Sequence, residues 1–163
     1  HVAIAEGTET ELPGTGGKAV MTGELLFLDA ELEAQHVDVK RGTIVNNATD
    51  ASGQVELTYT EVTDSLGCGV TNEMVTTSTL NFTTLANGEV QFTAPSGVFA
   101  TVETGCGNFN VTGGITAQTN GANLSTTKSD TGLSLGGNPA TLAGTVTISA
   151  GHTGEEHHAI SLT

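Results

Sequence analysis

Apolar and polar residues alternate with a period of two along much of the chain. Between residues 54 and 62, Val55, Leu57 and Tyr59 fall on one side and Glu56, Thr58 and Thr60 on the other, the pattern of a half-buried strand. The alternation returns at Met74, Thr76, Ser78, Leu80 and Phe82, breaks at Ala86-Asn87-Gly88 and resumes at Val90 and Phe92, which predicts a hairpin. Pro95-Ser96-Gly97 is expected to end that second strand. Residues 98–103, 109–116, 122–127 and 141–149 are further strand candidates, separated by clusters of Gly, Asn, Asp or Pro. Their short, regular spacing predicts a sandwich or barrel of antiparallel strands, and the preferred reading is an all-β, single-domain antiparallel β-sandwich of jelly-roll or Ig-like type.

Residues 23–36 carry two competing signals. They are rich in helix formers and place Leu25, Leu28 and Leu32 at helical spacing, so one short helix is an alternative there. Met21, Leu25 and Phe27 also follow a strand period, and β-branched Val37, Val39, Ile44 and Val45 come soon after; strands are the preferred reading. At the N-terminus, Val2 and Ile4 define a short alternating strand, and Pro13-Gly-Thr-Gly-Gly17 reads as a joint behind it. The expected organisation is therefore an N-terminal strand and Gly-rich joint over residues 1–17, followed by a β-sandwich domain over residues 18–163.

Composition sharpens this picture. The 163 residues include 22 Gly and 29 Thr but no Trp, which favours strands and turns over helices. Eighteen acidic against four basic side chains leave a net charge of −14, most of it before residue 83, so nucleic acid is excluded as an expected partner. No apolar run approaches the roughly 18 residues that span a bilayer, and no membrane insertion is expected. The chain opens on His1 rather than Met, from which we expect export with removal of a signal peptide. Cys68 and Cys106 each stand in a Gly-Cys-Gly tripeptide, and we expect a disulfide between them, joining two strand ends in an oxidising compartment. Asn47, Asn81, Asn110 and Asn123 each head an Asn-X-Ser/Thr triplet and are candidate glycosylation sites.

Candidate chemistry is sparse. A free N-terminal histidine offers a metal both an amine and a ring nitrogen, and in this one respect His1 resembles the histidine brace of lytic polysaccharide monooxygenases and some copper carriers. Near the C-terminus His152, His157 and His158 accompany Glu155 and Glu156, ligand types suited to copper or zinc. Should the first and last strands pair, His1 would approach this cluster. No Gly-X-Ser-X-Gly elbow or phosphate loop is present, and the expectation is a protein without catalytic turnover or cofactor.

The overall character is similar to that of exported fibre subunits: small, rich in Gly, Thr, Ala and Asn, poor in Lys and Trp, with one cysteine pair. The first functional expectation is an exported structural protein, a subunit of an extracellular filament, pilus, surface layer or matrix. It would assemble with copies of itself by β-strand addition through Val2 and Ile4. The alternative is a secreted or periplasmic copper- or zinc-binding protein using His1 with His152, His157 or His158. A weaker alternative takes the Thr rows Thr58/Thr60, Thr77/Thr79 and Thr145/Thr147 as a flat surface for glycan or ice.

Overall fold

The computed structural model describes residues 7–9, 14–46, 50–85, 88–120, 123–126, 132–150 and 158–159. Within them lie fifteen strands and no α-helix. They are β1 (Gly7–Glu9), β2 (Gly14–Gly16), β3 (Ala19–Leu25), β4 (Leu28–Ala34), β5 (His36–Asn46), β6 (Ala51–Thr60), β7 (Thr63–Asp64) and β8 (Val75–Thr76). There follow β9 (Leu80–Thr84), β10 (Glu89–Thr104), β11 (Gly107–Asn120), β12 (Asn123–Thr126), β13 (Leu133–Leu135), β14 (Asn138–Ala150) and β15 (His158–Ala159). Every strand pair is antiparallel, as the alternation and frequent turn residues lead one to expect.

The hydrogen bonding closes on itself. From β5 it passes through β6, β9, β10, β11, β12 and β14 to β2, and β2 pairs back onto β5. Strand β13 lies beside β12, also between β11 and β14. Opposite β12 and β13, the long strand β14 pairs in succession with two more strands: Thr141–Ala143 with β3, and Val146–Ile148 with β2. Ring closure thus depends on β2, the segment expected from its glycines to be part of a joint. Gly14, Thr15 and Gly16 are instead paired on both edges, and the missing side chains are what permit the approach of β14.

Residues 23–36 form strands and a turn rather than a helix. On β4 Ala30, Leu32 and Ala34 are buried at a spacing of two, and on β3 Ala19, Met21 and Leu25 are buried at even spacing, whereas Leu28, which the helical reading would bury, is exposed. One antiparallel register runs from Leu25↔Leu28 at the turn, through Ala19↔Ala34 and Gly16↔Val37, to Gly7↔Asn46. The described residues between Gly7 and Asn46 therefore share one long hairpin register.

The predicted β9–β10 hairpin is present, with Phe82 directly opposite Phe92 and their rings 6.0 Å apart. Pro95-Ser96-Gly97 does not end the second strand. It lies inside β10, at a register shift between Thr93 and Val98, where a residue without an N–H is tolerated and Gly97 adopts φ of 82°. The alternation from residue 74 also changes phase: Val75 and Thr77 are buried and Met74 is exposed, while Leu80 and Phe82 are buried as expected. The irregular residues between β8 and β9 absorb the slip. There Ser78 N–H donates to Phe99 O, and the Thr77 hydroxyl accepts the Leu57 N–H at 2.8 Å.

Phe99, Ile44, Leu80, Leu133, Leu135 and Val111 are the largest side chains wholly withdrawn from solvent, and the buried apolar residues form one cluster. The buried polar residues Thr77, Thr84 and Thr104 satisfy backbone groups beside ladder irregularities and turns. Thr84, for example, accepts the Ala51 N–H at 2.8 Å and donates to Ala51 O at 3.2 Å.

Candidate functional site

Three chain reversals and one loop meet at one end of the body. The β13–β14 turn is Gly136-Gly137, both with positive φ. Gly136 N–H donates to Asn110 O at 2.9 Å, and a Cβ at Gly136 would lie 3.3 Å from Leu25 and 3.5 Å from Phe109. Asn138 Nδ2 donates to Glu24 O at 3.3 Å, which ties this turn to the β3–β4 hairpin. The β10–β11 turn, Gly105-Cys106, is bound in turn to the loop after β7: Cys68 and Cys106 form a disulfide with Cα atoms 5.3 Å apart. Gly105 N–H donates to Cys68 O and Gly69 O, and Thr71 N–H donates to Glu103 O. On the loop side, Asp64 Oδ1 accepts the Leu66 and Cys68 N–H groups at 3.1 and 2.9 Å. Cys106 is exposed and Cys68 partly so, and the bond is compatible with an oxidising extracellular compartment.

The β3–β4 turn is the unusual part of this end. Its central residues, Leu26 and Phe27, have φ of 53° and 65°. Two successive left-handed residues are what a two-residue hairpin of this twist needs, and Asn-Gly is the pair that normally supplies them. Ordinary side chains cost about 1–2 kcal/mol each in this conformation. Leu26, Phe27 and Leu28 are nevertheless exposed by 54%, 96% and 59%. Behind them Glu24 and Asp29 form a directly opposed pair in the ladder, and Glu31 and Glu33 follow on β4. Lys18 approaches Glu33 at 2.9 Å and holds its carboxyl below the usual range, with a further hydrogen bond from Gln35. The sequence signal of this tip is the run Leu25-Leu-Phe-Leu28 between two acids, with no Gly or Asn where the hairpin turns.

The interior holds an apolar cavity of about 50 Å³, whose lining includes Met21, Tyr59, Phe99 and Leu142. Burial pushes the Tyr59 phenol above its ordinary value of 10.0.

Of the other residues singled out from the sequence, those that are described are dispersed. His1, Val2, Ile4, Asn47, His152 and His157 lie outside the described residues. His158 belongs to β15, opposite Ala150 on β14, while β1 pairs with β5; the first and last described strands are thus on different partners. Among the described residues no three of His, Cys, Asp and Glu converge on a common point. Asn81, Asn110 and Asn123 are exposed on strands rather than loops, and each side-chain oxygen accepts a cross-strand hydrogen bond, from Gln54, Thr101 and Thr147 respectively. Of the Thr rows, Thr145 and Thr147 are both exposed, but Thr77 is buried while Thr79 is not, so that pair presents no common surface.

The chain matches no protein-family model, no curated protein and no solved structure.

Proposed function

We propose that the protein is an exported structural subunit that assembles with copies of itself by β-strand addition at the edge formed by Ile44, Val45 and Asn46. The observation that carries this reading is the placement of β1. Among the described residues β1 spans Gly7–Glu9 and pairs with the end of β5 alone, whereas the ring closes through β2 without it. Exchange of β1 for the equivalent strand of a neighbour would keep the closed ring and its core, and would cost only a short ladder that the neighbour restores. Ile44 is buried and Val45 exposed at the receiving edge, so an incoming strand is read by alternate side chains as well as by main-chain bonds. A disulfide at the opposite end suits a subunit that persists outside the cell.

The test is negative-stain electron microscopy of the natively secreted protein and of a form lacking residues 1–12. Filaments that disappear on truncation and are capped by a free peptide of residues 1–12 support strand addition. Dispersed particles in both samples remove the filament reading, and undiminished filaments after truncation remove the strand-addition mechanism.

A further inference from the structure

The β3–β4 hairpin tip lies at the other end of the hairpin register from the edge proposed for strand addition. Its neighbour, the β13–β14 reversal, meets the same demand with Gly136-Gly137; of the described non-glycine residues with positive φ, Glu61 at 54° stands alone, and Leu26 and Phe27 are the two in succession. At Leu26-Phe27 the chain instead holds two bulky residues in that conformation, and their side chains gain little contact within the fold. Backbone strain retained where no internal packing rewards it points to a contact outside the chain. We propose that Leu26, Phe27 and Leu28 form a docking knob that enters an apolar pocket rimmed by Lys or Arg on a different protein.

Charge selects the occupant. Glu24 and Asp29 flank the apolar residues, with Glu31 behind them, while Glu33 further along β4 is already paired with Lys18. A pocket with a cationic rim neutralises this collar while Phe27, as an aromatic anchor, fills the centre. A second copy of the chain is poorly suited to that role. It has 4 basic residues against 18 acidic ones, and Lys18 and Arg41 already face Glu33 and Glu56. The described cavity of about 50 Å³ is also small beside the roughly 150 Å³ that admits benzene. A lipid surface is disfavoured as well, because burying Phe27 would carry Glu24 and Asp29 towards the headgroups, and a net charge of −14 opposes anionic membranes.

A defined probe tests this. An amphipathic helical peptide of Leu and Lys presents an apolar face rimmed by ammonium groups; a Leu/Glu peptide of the same pattern and phosphatidylcholine vesicles serve as comparisons. The variant L26N/F27G keeps every charge and installs the preferred turn pair, so it retains the fold. The full chain is expected to bind the Leu/Lys peptide by fluorescence anisotropy, and the variant to bind it at least about tenfold more weakly. No binding, or equal affinity for both proteins, overturns the proposal, the latter because net charge alone would explain it. Vesicle binding that the variant loses while its peptide affinity is unchanged assigns the tip to lipid. A dimer, measured by sedimentation, that the variant loses assigns it to a second copy.

Discussion

Gly16 and Thr145 pass so close that a Cβ on Gly16 would stand 2.3 Å from the Thr145 carbonyl oxygen. Gly16 belongs to β2, which bridges β5 and β14 and closes the ring. Gly16→Ala should therefore force two backbones apart, where no flexible side chain can yield. We expect a loss of at least about 1–3 kcal/mol in urea unfolding, in the range of overpacked cores. Gly17→Ala, one residue on, meets nothing within 4 Å and should be nearly neutral.

The tip makes the opposite prediction. Since Leu26 and Phe27 hold left-handed backbone and Phe27 is almost wholly exposed, L26N/F27G should raise stability by about 1–3 kcal/mol. Thermal unfolding of the purified variant checks this. An unchanged or lower midpoint would mean that the tip is not strained.

The Cys68–Cys106 bond closes a loop of 38 residues of sequence separation. Replacing both cysteines by serine should cost about 2–4 kcal/mol on the chain-entropy account. Because Cys106 is exposed, a thiol reductant should open the bond without prior unfolding, and mass spectrometry of alkylated native protein would detect that.

Alkaline titration isolates Tyr59, the single tyrosine in a chain without tryptophan. Its folded pKa is raised, so the stability it contributes is fully present below 10.0 and is lost as the pH rises beyond that value towards the folded pKa. Tyrosinate absorbance should lag the behaviour of a free phenol and then appear with unfolding, and Tyr59→Phe should flatten the loss of stability above that pH. Glu33 works in the other direction: its pKa is lowered, chiefly by Lys18, and its contribution disappears as the pH falls from 4.5 through the folded value.

Thr77→Val should cost about 1–3 kcal/mol, because it leaves the Leu57 N–H without its side-chain acceptor, and Thr77→Ser should restore most of that. Urea unfolding of the two variants distinguishes a hydrogen-bonding role from simple packing.

Local pattern and pairing determined much of this protein from the sequence alone. Period-two burial at Val55, Leu80, Phe82, Val90 and Phe92, the all-β antiparallel class and the Cys68–Cys106 bond all follow from which residues alternate and which residues turn the chain. Tertiary structure alone decided the rest, because each remaining feature is a relation between distant backbones. Glycines that read as a joint became the closing strand, since only a bare Cα lets β14 approach β2. Pro95-Ser96-Gly97 became a bulge within β10, since the strands on either side hold it in register. Leu26-Phe27 became a turn against its local preference, because the single register from Leu25↔Leu28 to Gly7↔Asn46 leaves the hairpin no other place to reverse.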